Sequence, residues 1–92
     1  MKHNVYFEGK VQSLEIQTQR ARATVGVIEA GKYTFSTSSE EHIVIIDGTM
    51  RIKLAGEDWQ VIDKGKKELA VPKNSSFDVD ANMEVAYICY YL

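Results

Sequence analysis

The sequence predicts an all-β domain, a small sandwich or barrel, and three observations carry that prediction. Apolar residues almost nowhere recur at helical spacing, whereas β-branched and aromatic residues gather in short runs. Turn-forming residues separate those runs along the whole chain. With 92 residues, 45% of them hydrophobic, the chain can build one core but not two, so residues 1–92 are expected to form a single domain.

The expected strands follow in order. Val5–Gln17 is the longest run, with Gly9 marking a bend. Ala23–Glu29 ends at Ala30-Gly31, and Lys32–Thr37 ends in a hydroxyl-rich loop. His42–Ile46 and Thr49–Leu54 flank Asp47-Gly48, and Trp59–Asp63 lies between Ala55-Gly56 and Lys64-Gly65. Glu68–Val71 stops at Pro72-Lys73-Asn74, Ser76–Val79 at Asp80-Ala81-Asn82, and Glu84–Tyr91 closes the series. The basic cluster Asp63–Glu68 is interrupted by acids and Gly65 and reads as a solvated turn.

Asp47-Gly48 between apolar runs is the strongest short hairpin signal, because a type I′ turn needs positive φ at both central residues. A two-residue loop pairs Ile46 with Thr49, Ile45 with Met50, Ile43 with Ile52 and Glu41 with Leu54. Side chains alternate faces along a strand, so Ile43, Ile45, Met50, Ile52 and Leu54 share the apolar face, with Glu41 at its far end. His42, Arg51 and Lys53 fall on the opposite face beside Val44 and Ile46, which calls for another strand or subunit to cover part of it. In the preceding strand Tyr33, Phe35 and Thr37 share one face and Lys32, Thr34 and Ser36 the other. The last strand sets Val85, Tyr87, Cys89 and Tyr91 against Ala86, Ile88 and Tyr90.

Composition excludes several classes. Eleven basic against thirteen acidic residues give a net charge of −2, which offers nucleic acid or an anionic membrane no attraction. No run approaches the roughly 20 apolar residues that span a bilayer. "MKHNVYFEGK" has no apolar signal-peptide core, and the lone Cys89 allows no intrachain disulfide, so the cytoplasm is the expected location.

Gly31 to Gly48 brackets an apolar strand and an acid, with six residues between Glu41 and Gly48. This resembles the first cupin motif, in which two histidines and a glutamate bind metal on a small jelly-roll barrel. Here the histidine places hold Phe35 and Thr37, or with the other gap Thr34 and Ser36. Gly65, Pro72 and Phe77 echo the second motif, with Phe77 where a histidine belongs. The resemblance therefore implies a cupin-type β-barrel whose metal-ligand histidines are absent. Of the two histidines, His3 lies near the terminus and His42 points to the wrong face, so neither metal nor any other cofactor is expected.

A closer resemblance spans nearly the whole chain. "YFEGKVQS", "RATVGV", "GKYTFST", "IDG" after Glu40-Glu41, "DWQV", "VPKNSSF" and "YICYYL" are similar, in order, to the small pyrimidine/purine nucleoside phosphorylase family of metal-free bacterial cupins. Lys73-Asn74 depart from it at a turn that favours glycine, although Asn tolerates left-handed backbone.

This family resemblance implies phosphorolysis, in which a nucleoside and inorganic phosphate give free base and ribose 1-phosphate, by a homodimer paired through its sheets as cupins often are. Such a reaction passes through a sugar with oxocarbenium character and needs positioned donors and charge but no metal. Glu41 is the expected catalytic carboxylate, on the ribose hydroxyls or the sugar cation. Tyr33, Phe35 and Phe77 are expected to stack the base, with Thr37, Tyr87 and Tyr91 offering hydroxyls to the substrate. Arg22, Ser36 and Ser38 are the expected phosphate ligands, Arg51 being aimed away. Cys89 reads as a small buried packing residue.

Overall fold

A computed structural model describes residues 1–66 and 68–92; Lys67, within the basic turn Asp63–Glu68, lies outside them. Among the described residues there are ten strands: β1 His3–Tyr6, β2 Val11–Gln17, β3 Arg22–Ile28, β4 Gly31–Ser36, β5 Glu41–Asp47, β6 Thr49–Leu54, β7 Trp59–Asp63, β8 Leu69–Val71, β9 Ser76–Ala81 and β10 Val85–Tyr91. They form two antiparallel sheets, one ordered β1-β2-β3-β10-β5-β8 and the other β4-β9-β6-β7. The all-β expectation holds. Among the described residues no helix is long and apolar enough to cross a membrane.

The core lies between the sheets. Val11, Ile28, Ile43, Ile45, Val71 and Val85 enter it from the larger sheet, and Met50, Ile52, Leu54, Ile62, Phe77 and Val79 from the smaller. Burying each such apolar side chain contributes about 1.5–3 kcal/mol. Strand pairing does not close the two sheets into one continuous barrel. At one open side, side chains close the gap instead: Phe7, just after β1, packs on Tyr33 and Phe35 of β4, with ring centroids 5.0 and 5.4 Å away.

Two expectations are corrected. Asp47-Gly48 does not make a hairpin. β5 pairs with β10 and β8, while β6 pairs with β9 and β7 in the other sheet. Gly48 alone takes positive φ, at 93°, and a Cβ there would meet the Glu84 carbonyl oxygen at 2.7 Å. The turn is a crossing between layers, pressed against the β9–β10 connection. The predicted faces survive, because alternation does not depend on which strand is the partner. Ile43 and Ile45 meet Met50, Ile52 and Leu54 across the core instead of lying beside them.

Val5–Gln17 is likewise two strands and not one bent strand. The chain reverses through Phe7, Glu8 and Gly9, all at positive φ (52°, 58° and 91°), and β1 pairs back on β2 with Tyr6 opposite Val11. Elsewhere Asn74 takes φ 56°, the left-handed geometry its turn was expected to need. A β-bulge falls between β10 and β5, where Ala86 faces Asp47 and Tyr87 faces Ile45, leaving Ile46 as the extra residue.

Candidate active site

The inward face of the larger sheet changes character along its strands. Register places Val11, Ile28 and Val85 in one row, then Ser13, Gly26, Tyr87 and Ile45, then Glu15, Thr24, Cys89 and Ile43. At the end of the series Tyr91 faces Glu41, with Arg22 next along β3. Aliphatic packing thus gives way to polar groups within a few residues on each strand. A cavity of about 400 Å³ opens over the polar rows, within the size range of about 300–1,000 Å³ typical of small-molecule sites.

At its polar end the Cys89 thiol donates to Glu41 Oε1 at 3.4 Å. Burial pushes the Glu41 carboxyl above its ordinary range, while the Cys89 donor and the positive charge of Arg22 act in the opposite direction. The Cys89 thiol is pushed up by burial first and by the neighbouring Glu41 charge, so it remains protonated and a donor. It is therefore buried, as expected, yet polar in its role. The Arg22 guanidinium lies 4.4 Å from the centroid of the Tyr91 ring and donates to Glu15 at 3.0 Å. The Tyr91 hydroxyl shares a 3.0 Å hydrogen bond with Thr24, and burial keeps this phenol protonated. The Tyr87 phenol is pushed up to about 12, by burial first. It reaches across the sheet over Gly26, where a Cβ would lie 2.6 Å from the phenol oxygen. Gly26 is thus the opening that admits Tyr87.

The smaller sheet supplies the aromatic wall. Phe35 and Phe77 are direct partners in the β4–β9 register and stack at 5.3 Å with 21° between planes. Ser36 at the end of β4, with Ser38 and Ser39 just beyond it, also line the cavity.

Of the residues singled out from sequence, Glu41, Arg22, Phe35, Ser36, Ser38, Phe77, Tyr87 and Tyr91 line this cavity together. Two stand apart. The Thr37 hydroxyl donates to the Pro72 carbonyl at 2.7 Å and accepts from the Ser75 amide at 3.0 Å, so it staples a turn. The Tyr33 hydroxyl donates to the Glu29 carbonyl at 2.8 Å, and its ring lines a neighbouring shallower hollow. Hydrogen bonding to backbone groups, near in sequence for Tyr33 and distant for Thr37, holds both hydroxyls away from the cavity. Sequence reasoning missed Tyr6, Phe7, Ser13 and the hydrogen-bonding role of Cys89. Ser13 had a readable signal, an isolated polar residue on the parity of Val11. Among the described residues no group of three or more His, Cys, Asp or Glu side chains converges as a metal site.

A family model described as pyrimidine/purine nucleoside phosphorylase matches residues 1–91. A pyrimidine/purine nucleoside phosphorylase of Photobacterium profundum is 40% identical over 90 residues, covering 97% of this chain and 96% of that protein. A crystal structure of a protein of unknown function from Vibrio parahaemolyticus superposes with a TM-score of 0.92 at 36% identity, covering 99% of this chain and 97% of that one. An RmlC-like cupin from Shewanella frigidimarina aligns with a TM-score of 0.76 at 11% identity, over 98% of this chain and 81% of that one, a likeness of fold alone. The all-β fold is cupin-like, and a match of this extent shows that the chain belongs to the pyrimidine/purine nucleoside phosphorylase family.

Proposed function

We propose that this protein cleaves purine and pyrimidine nucleosides with inorganic phosphate, giving free base and ribose 1-phosphate. The observation that carries the reading is the family match over residues 1–91. The cavity supports it chemically. In this reaction a phosphate oxygen forms a bond to the anomeric carbon, and the carbon–nitrogen bond to the base breaks with its electron pair. The proton of hydrogen phosphate ends on the base, so atoms and charge balance without a cofactor.

Glu41 is the carboxylate placed for the sugar, holding ribose hydroxyls or facing the cationic ring. Arg22 supplies positive charge at the same end, and the hydroxyls of Ser36 and Ser38 supply donors for phosphate. Phe35 and Phe77 offer flat apolar surface to a base, an interaction tolerant of base identity. Tyr87 and Tyr91, protonated and partly buried, offer phenol donors to the substrate. The reaction is placed in the cytoplasm and needs no metal.

The reading includes a second copy of the chain on the outer face of the larger sheet. Leu14, Val25, Ile88 and Val44 form a row across four strands there. The bordering charges Arg20, Glu68, His42 and Glu40 are paired among themselves, so the row suits a like, uncharged surface meeting it across a twofold axis. Sedimentation of the native protein as a monomer would count against this part.

The deciding experiment incubates purified protein with uridine or inosine, with and without phosphate and with and without a chelator. The expected result is free base and ribose 1-phosphate only when phosphate is present, unaffected by the chelator. Base release independent of phosphate would make the protein a hydrolase. Binding without turnover would make it a ligand-binding cupin, and neither binding nor turnover a structural module.

A further inference from the structure

Between β1 and β2 three successive residues adopt left-handed backbone, and two of them, Phe7 and Glu8, are not glycine. That conformation is costly for any residue with a Cβ, and for a bulky ring it is a conspicuous exception. A tight reversal chosen for stability alone would place Gly or Asn at both positions, as Asn74 does in its own turn. The ring held there is unusual too. Phe7 is 42% exposed, although an apolar side chain in a protein of this size gains most by full burial.

The strained turn aims that ring at a definite place. Phe7 lies at the side where the two sheets are not paired, between the candidate-site cavity and the neighbouring hollow, and lines both. It meets Phe35 edge-on at 79° and Tyr33 at 58°. Phe35 in turn stacks on Phe77. Phe77, Phe35 and Phe7 therefore form a continuous aromatic wall running from the core to the mouth, with Phe7 as its outermost and least covered ring. Strain retained at a cavity wall belongs with ligand contact more than with packing.

We infer that Phe7 is a substrate-binding residue, the outer ring of a wall against which the flat heteroaromatic base of the nucleoside packs. This rests on the nucleoside reading above and deepens it. A π-face, unlike a hydrogen-bonding pocket, accepts one-ring and two-ring bases alike. The sugar and phosphate then point to the opposite, polar end, toward Glu41, Tyr91 and Arg22.

The test is equilibrium binding of inosine and of uridine by calorimetry without phosphate, so that binding is read independently of turnover. Wild type is compared with Phe7→Ala, Phe7→Leu and Phe7→Trp, and thermal melting is recorded for each. Phosphorolysis kinetics are then measured on the same samples. Phe7→Ala should weaken both nucleosides about tenfold or more, raising the nucleoside KM while leaving the phosphate KM unchanged. Phe7→Leu keeps apolar bulk without a π-face and should remain weakened, whereas Phe7→Trp should restore binding. Wild-type affinity in Phe7→Ala, or full rescue by Phe7→Leu, would overturn the assignment, as would a wild-type protein that binds neither nucleoside. Wild-type binding that depends on Phe7 but is not followed by phosphorolysis would leave Phe7 in place and defeat the catalytic reading instead.

Discussion

The interior has two ends built on the same strands. At one, Val11, Ile28 and Val85 form a row with no polar atom among their side chains. At the other, two to six residues further along those strands, Ser13, Thr24, Arg22, Tyr87, Cys89 and Tyr91 share the same inward parity. Sheet geometry treats both ends alike; only the side chains differ. The aliphatic end is packed, with only Ile28 of the three also bordering the cavity, so its groups contribute chiefly burial energy. The polar end keeps a cavity and a carboxylate whose ionisation is opposed by burial, an arrangement that costs stability and that the proposed substrate site accounts for.

The comparison can be broken first at its packed end. Ile52 is fully buried and does not line the cavity, so Ile52→Ala should lower stability by about 2–5 kcal/mol in urea unfolding. Activity per folded molecule should stay near wild type. A large loss of turnover with little loss of stability would mean that the two ends are not separable.

Glu41→Gln should do the reverse. Turnover is expected to fall about 10²–10³-fold, the scale of losing one preorganised group that stabilises transition-state charge. Stability should hold or rise, because the carboxyl raised by burial is a cost in its ionised form and the amide carries no charge. Unchanged turnover would remove Glu41 from the catalytic machinery.

Cys89 sharpens the contrast by separating volume from hydrogen bonding. Its thiol favours the ionised form of Glu41, so Cys89→Ala should raise that carboxyl further and move the acid limb of the kcat/KM profile to higher pH. Cys89→Ser keeps a donor and should leave the limb in place. Equal profiles for both variants would reduce Cys89 to packing.

The smallest effect lies outside both ends, in the Arg20–Glu68–His42–Glu40 network. Glu68 is held down to about 2 by Arg20 first and then His42, so its contribution is present above its ordinary 4.5 and lost as pH falls toward that lower value. His42 is pushed up by Glu68 first and then Glu40; its contribution is full below its ordinary 6.5 and lost as pH rises through its folded value. The network should therefore stabilise most between 4.5 and 6.5. His42→Asn should lower Tm in that window by at most about 5 °C and leave alkaline Tm nearly unchanged. An equal loss at every pH would reveal packing in place of charge.

Much of the site was legible from alternation. The parity of Glu41 with Ile43 and Ile45, and of Phe35 with Tyr33, follows from the two-residue repeat of any strand. Thr37 shows the limit of that rule, because its inward parity says nothing of the Pro72 and Ser75 backbone that captures its hydroxyl. Phe7 was not legible, since nothing local distinguishes a bend at Gly9 from a reversal with a phenylalanine in left-handed geometry.

The residue order by itself determined which side chains face inward, because alternation is a property of a single extended chain. It also determined that turns fall at Gly48 and Asn74, where backbone freedom is needed. Only the tertiary structure decided that β5 and β6 part into opposite sheets. It likewise decided that Glu41, Cys89, Tyr91 and Arg22 meet, because β5, β10 and β3 are far apart in sequence and their neighbourhood is chosen by burying the whole apolar face at once.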